Sequence, residues 1–250
     1  MNNIYLFDID GTLSYNGEIL PSTKRALKRL KEEGNLVMLA TGRCLGQMDG
    51  ILKEFDVDGA ILNNGSYAIL NDEVIYSSPI DNDKIYEMMR DGLKISALLK
   101  NRFVYFNEDP IFPIFCDYFK IDMPDLVSYD ILKEDKAYSL GVYAKDCDLL
   151  DLEKYDLKFI RVCKWGFDVV NKGISKASAF KALKNKYPGA KIIAFGDNYN
   201  DLEMLTHADI SVAMGNAPED VKNKATYTTL HVKDGGIEYA VKEILKIYED

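Results

Sequence analysis

Short uninterrupted apolar runs alternate along the chain with segments whose apolar residues recur every three or four positions, a rhythm that predicts an α/β fold. Ile4 to Phe7 lacks polar alternation, the pattern of a parallel strand buried on both faces, and stops at the turn Asp8-Ile9-Asp10-Gly11-Thr12. Ser22 or Thr23 is placed to cap a helix with Ala26, Leu27 and Leu30 on one face. Gly34 ends that helix, and Leu36 to Ala40 returns as a second buried strand, completing a right-handed βαβ unit. The rhythm repeats with a helix expected over Cys44 to Phe55 and a strand over Ala60 to Leu62, which ends at Asn63-Asn64-Gly65. Tyr67 to Leu70 and Val74 to Tyr76 flank Asn71-Asp72 as a hairpin.

From about residue 81 the pattern changes to one helix, expected over Asp83 to Leu99, and short aromatic strands such as Arg102 to Phe106 and Tyr138 to Tyr143. Strands at Phe159 to Val162 and Phe167 to Val170 lead back to the α/β rhythm: a helix capped by Ser175, a strand over Lys191 to Phe195, then Gly196-Asp197. The expected organisation is therefore discontinuous. Residues 1–80 and 166–250 form a Rossmann-like core with a mainly parallel sheet and helices on both faces, and residues 81–165 form an inserted α+β cap domain. Ile237, Ala240, Val241, Ile244, Leu245 and Tyr248 give a C-terminal amphipathic helix. Phe112, Phe115, Tyr118 and Phe119, similarly spaced, are expected to form the cap's own core.

The chain has 250 residues, 47% of them hydrophobic, enough for two such domains. Forty acidic against 31 basic residues leave a net charge of −9, which repels nucleic acid and anionic membrane surfaces and argues against either as a partner. No apolar run approaches the roughly 20 residues a bilayer span needs, and Asp8 interrupts any signal-peptide core, so the expected compartment is the cytoplasm. Cys44, Cys116, Cys147 and Cys163 contain no CxxC pair, and two histidines do not complete a zinc cluster with them; reduced thiols are expected. Nothing in the pattern fixes an oligomeric state, and a monomer suffices.

The chemistry concentrates in two acidic turns. Asp8 and Asp10 leave a buried strand at the carboxyl edge of the sheet, where open α/β sheets bind ligands. Gly196-Asp197-Asn198-Tyr199-Asn200-Asp201 follows another short apolar strand and precedes a helix. Taken alone, each turn could owe its acids to backbone hydrogen bonding. Together, on neighbouring strand ends, they converge on one cation.

These residues resemble the motifs of the haloacid dehalogenase superfamily, and within it the Cof-type phosphatases with a large cap between the second and third motifs. Asp8 to Thr12 matches the first motif, Thr41 in Ala40-Thr41-Gly42-Arg43 the second, and Gly196 to Asp201 the fourth. Lys176 is the best match to the third, with Lys172 as the fallback, and the family's Asn-Asn-Gly turn is present as Asn63 to Gly65. The resemblance implies Mg²⁺-dependent hydrolysis of a small phosphomonoester such as a sugar phosphate. Asp8 would be the nucleophile and Asp10 the general acid and base. Asp8, Asp197 and the Asp10 carbonyl would hold Mg²⁺, and Asp201 would support the metal shell or Lys176. Thr41, Gly42, Lys176 and Asn200 would bind phosphate, with Arg43 and Asn64 as substrate or loop contacts. The alternatives are a phosphomutase using the same aspartyl-phosphate, which release of inorganic phosphate separates from a phosphatase, and a noncatalytic phosphometabolite-binding protein, which would have no need of Asp10.

Overall fold

The structure is a computed structural model and describes residues 3–48 and 50–247. Along the chain run β1 (Ile4–Phe7), β2 (Ser14–Tyr15), β3 (Glu18–Ile19), α1 (Pro21–Glu32), β4 (Leu36–Ala40), α2 (Ile51–Phe55), β5 (Gly59–Leu62), β6 (Tyr67–Leu70) and β7 (Glu73–Ser77). Next come α3 (Asn82–Arg90), β8 (Lys94–Leu99), β9 (Phe103–Tyr105), α4 (Ile111–Phe119), β10 (Asp125–Leu126), β11 (Ala137–Tyr143), β12 (Leu157–Cys163) and β13 (Gly166–Asn171). The chain ends with α5 (Phe180–Lys186), β14 (Ile192–Gly196), α6 (Leu202–His207), β15 (Ile210–Ala213), α7 (Glu219–Lys222), β16 (Tyr227–Thr228) and α8 (Gly236–Tyr239).

The chain divides into two compact units. The first comprises residues 1–41, 50–76 and 175–250, and the second residues 42–49 and 77–174. Instead of at the expected 80/81 and 165/166, the two units divide at 76/77 and at 174/175, the latter because β13 pairs with β11 and β12 and belongs to their sheet.

The first unit holds a sheet in the order β16-β15-β14-β1-β4-β5-β6-β7, parallel from β16 to β5, with β6 antiparallel to β5. Ile4 and Leu6 of β1 point to the face covered by Phe180 and Leu183 of α5 and Met204 and Leu205 of α6. The alternate positions Tyr5 and Phe7 point to the opposite face, and Phe7 stacks on Phe195 with ring centroids 4.6 Å apart. Helix α1 buries Ala26, Leu27 and Leu30 and packs against β4 and α8. Helices therefore cover both faces, the expected α/β architecture.

The second unit holds a sheet in the order β10-β9-β8-β11-β13-β12, antiparallel except for β10 with β9. Phe112, Phe115, Cys116 and Tyr143 form one cluster in it. Tyr118 and Phe119 instead are 63% and 38% exposed, so only half of the expected aromatic set is buried.

Several expected helices change. The helix over Asp83 to Leu99 is α3 alone: the chain leaves it at Asp91 and turns through Gly92 at φ +81°, and residues 94–99 become β8. The helix over Cys44 to Phe55 is a 3₁₀ turn at Leu45–Met48 and the short α2, separated at Gly50. Helix α1 begins with Pro21, whose fixed φ suits the first helical position, so neither Ser22 nor Thr23 is its cap. Ser175 Oγ accepts from the Ala177 N–H and closes a turn ahead of α5 rather than capping it. At the C-terminus α8 widens into a π turn, Ala240–Ile244; Ile237, Ala240 and Val241 are buried as expected, and Tyr248 lies outside the described residues.

Candidate active site

Register brings the site together. Phe7 of β1 is level with Phe195 of β14 and Leu39 of β4, so Asp8, Gly196-Asp197 and Ala40-Thr41 all emerge at the carboxyl edge of three adjacent parallel strands. Asp8 is buried and its N–H donates to the Phe195 carbonyl at 3.0 Å, which prolongs the ladder by one residue. The chain then turns back: the N–H groups of Leu13 and Ser14 both donate to the Ile9 carbonyl. Gly11, at φ +91°, occupies the left-handed region, and a Cβ there would overlap the Asp197 carboxylate. Only glycine lets the two acidic loops approach this closely.

The second loop is organised by Asp201, which is fully buried. Its Oδ2 accepts from the N–H groups of Asp197 at 3.0 Å and Asn198 at 3.1 Å, while the Asn198 side chain caps the 3₁₀ turn Tyr199–Asp201. Asp201 Oδ1 accepts from Lys176 Nζ at 2.7 Å, and the same ammonium donates to Asp8 Oδ1 at 2.5 Å. Lys176 is itself 1% exposed. Its backbone lies against the Asn63-Asn64-Gly65 turn, where three consecutive residues take φ values of 54°, 53° and 101°. A Cβ on Gly65 would overlap the Ser175 carbonyl, so that turn lies directly against the segment presenting the lysine. The non-glycine members of such a run cost on the order of 1–3 kcal/mol each, the kind of strain that clusters at functional sites. Thr41 is buried beside the turn, and its carbonyl accepts from the Asn64 N–H at 3.2 Å.

Oxygens of Asp8, Asp197 and Asp201 lie within 4.8 Å of one another. Three carboxylates and one ammonium carry a formal net charge of −2. Burial raises the pKa of Asp8 well above the ordinary carboxylate range; Asp201 and Asp197 raise it further, and Lys176 opposes them. Burial and Asp201 push Asp197 up to about 6, against the pull of Lys176, Thr12 and Asn216. Burial by itself would depress Lys176, but Asp201 and Asp8 hold its ammonium above the usual lysine range. A cluster left with two uncompensated charges and only oxygen donors, without imidazole or thiolate, fits a hard divalent cation. Asp201 already spends both oxygens on Lys176 and backbone N–H groups, so the donors best placed to face a cation are those of Asp8 and Asp197.

Sequence reasoning missed Asn216. Its Nδ2 donates to Asp197 Oδ2 at 3.0 Å and to the Gly11 carbonyl at 2.8 Å, and its Oδ1 accepts from the Val232 N–H at 3.0 Å. The available signal was position: Asn216 stands three residues past β15, the strand next to β14, at the same sheet edge. Thr12, read only as part of the first motif, is buried with Oγ1 3.4 Å from Asp197 Oδ1.

Asp10 is exposed and bridges through its backbone to Ser14. Asn200 is exposed on the 3₁₀ turn, and its side chain makes no hydrogen bond among the described residues. Gly42 and Arg43 belong to the second unit, into which their segment is tied by the Leu45 N–H to the Lys100 carbonyl. Lys172 pairs with Asp156 at 2.7 Å on the surface of that unit, which removes it as the fallback for Lys176. No helix among the described residues is long and apolar enough to cross a membrane.

A family model of haloacid dehalogenase-like hydrolases matches residues 5–241. YkrA of Bacillus subtilis strain 168, provisionally named a phosphatase, is 30% identical over 97% of this chain and 98% of its own length. Among solved structures, the phosphatase BT1666 of Bacteroides thetaiotaomicron superposes with a TM-score of 0.86 at 26% identity, covering 98% of this chain and 96% of that one. The sugar phosphatase BT4131, of haloacid dehalogenase subclass IIB, superposes with a TM-score of 0.80 at 25% identity, covering 99% and 100%.

Proposed function

The chain belongs to the haloacid dehalogenase-like hydrolases, as a phosphatase of the Cof type, and on that premise we propose that it hydrolyses a small phosphomonoester, of the sugar phosphate class, through an aspartyl-phosphate on Asp8 and with Mg²⁺. One observation carries the proposal: buried Lys176, Asp8 and Asp201 and half-buried Asp197 meet where strand ends converge, and they retain a deficit of two positive charges. A structural role gives no return on that arrangement, because charges buried without full compensation cost stability.

Asp8 Oδ2 attacks phosphorus, forming an O–P bond as the bond to the leaving alcohol breaks. Lys176 holds Asp8 Oδ1, which fixes the rotation of the carboxylate and offsets charge as the phosphoryl group approaches. Asp10, one residue beyond Ile9 and exposed, gives its proton to the departing alkoxide. It then takes one from the water that attacks phosphorus and frees Asp8 with inorganic phosphate. The Thr41 hydroxyl and Gly42 amide are the further phosphate donors, with Asn200, Arg43 and Asn64 as contacts to phosphate, substrate or loop. Mg²⁺, held by Asp8, Asp197 and the Asp10 carbonyl, would supply charge neutralisation between nucleophile and phosphate. Asp201 acts at one remove, by orienting Lys176 and the Asp197 loop.

The test is phosphate release from a panel of metabolite phosphates with Mg²⁺ and with chelator. Release that needs Mg²⁺ and ranks sugar phosphates first is expected; undiminished release in chelator would overturn the metal assignment, and a different ranking the substrate class.

A further inference from the structure

We propose that Asn216 is a positioning residue that sets which way Asp197 faces and thereby tunes the affinity of the site for its divalent cation, an inference that rests on the cation reading above. The partners of Asn216 admit a single orientation of its amide. The Gly11 carbonyl and the Asp197 carboxylate only accept, and the Val232 N–H only donates, so Nδ2 faces the two acidic loops and Oδ1 faces the chain after β16. One NH₂ group therefore spans both loops. It holds the turn at Gly11 against Asp197, at the place where no Cβ is tolerated, and it occupies Asp197 Oδ2. The other carboxylate oxygen, Oδ1, has among the described residues only the long 3.4 Å contact from Thr12 and is the freer donor toward a cation.

The anchor of the amide is built as well. Val232 is buried and begins a short 3₁₀ turn capped by His231, whose Nδ1 accepts from the Lys233 N–H at 3.2 Å. The His231 ring meets Tyr15 edge to face at 5.6 Å, on the β2–β3 hairpin that follows the first acidic turn. Partners that orient a metal ligand in this way typically contribute about 10–100-fold in metal affinity.

The experiment measures Mn²⁺ alone, by titration of the metal-free full chain with electron paramagnetic resonance of the free ion. It adds the difference between melting temperatures in Mn²⁺ and in chelator. Asn216→Ala is expected to weaken Mn²⁺ binding about 10–100-fold and to shrink that temperature difference, whatever its effect on the melting temperature in chelator. Asn216→Asp keeps the shape but sets an acceptor against two acceptors, and is expected to bind Mn²⁺ no better than the unaltered chain. Unchanged affinity in Asn216→Ala would overturn the assignment, as would tighter binding in Asn216→Asp, which would make position 216 a ligand. Asp197→Asn is the control: full affinity there removes the cation from this site and the proposed role with it. Absent phosphate release with these Mn²⁺ shifts intact would sink the proposed reaction and leave the role of Asn216 standing.

Discussion

The first unit withdraws a lysine and two carboxylates from solvent and sets a third, half-buried one within reach of them. The second fills its interior with a mostly aliphatic cluster and a smaller ring cluster, and settles its Tyr143 hydroxyl against Ser96 Oγ at 2.7 Å, a neutral pair given room by the missing side chain of Gly141. Burying a neutral hydroxyl pair costs little once its hydrogen bond is made, whereas buried charge with unequal signs remains costly. The contrast locates function: one unit maximises packing, and the other gives up stability to hold charge in place.

Asp8→Asn presses that contrast hardest. Phosphate release should fall on the order of 10⁴-fold or more, as loss of a covalent nucleophile does elsewhere. The same substitution should raise the melting temperature in chelator, because it removes a charge that burial and its acidic neighbours disfavour. Calorimetry and a phosphate assay on one preparation check both, and a lower melting temperature would mean that the cluster stabilises the fold. Lys176→Ala leaves Asp8 and Asp201 buried without their cation and should cost about 3–5 kcal/mol in chelator, with Mg²⁺ restoring part of it; chemical denaturation with and without metal reads the difference. Phe112→Ala, in the ring cluster, should cost a similar 3–5 kcal/mol yet leave Mn²⁺ affinity unchanged, since its effect is packing.

The smallest expected effect is a pH dependence. Asp197 rises from an ordinary 3.8 to about 6 in the metal-free fold, so the folded state binds that proton more tightly than the unfolded chain. Its contribution to stability is complete below about pH 3.8 and is lost as the pH climbs through 6. Subtracting the melting curve of Asp197→Asn from that of the unaltered chain at pH 5 and pH 7, in chelator, isolates this term. A difference that grows in favour of the unaltered chain at pH 7 would contradict the sign.

The strands that position the site were readable because buried parallel strands are continuous apolar runs, and Ile4 to Phe7 and residues 192–195 have no other good use. The acidic turns were readable because Asp8, Asp197 and Asp201 sit at strand ends with a glycine in each turn. The merged helix over Asp83 to Leu99 arose because Ile85, Met88, Ile95 and Leu99 keep helical spacing across the break, so that Gly92 was its only local signal. Asn216 escaped for a different reason. An amide carries no charge pattern, and its meaning comes from partners about 20 and 205 residues away, which sequence spacing does not bring together.

The central claim is that phosphate passes through Asp8, and its most direct test is borohydride reduction of the enzyme quenched during turnover with Mg²⁺ and a sugar phosphate. An acyl-phosphate at Asp8 would be reduced to the alcohol, and peptide mass spectrometry should find that change on the peptide containing Asp8 only when substrate and Mg²⁺ are both present. Rapid phosphate release with an unreduced Asp8, or reduction at another carboxylate, would contradict the account.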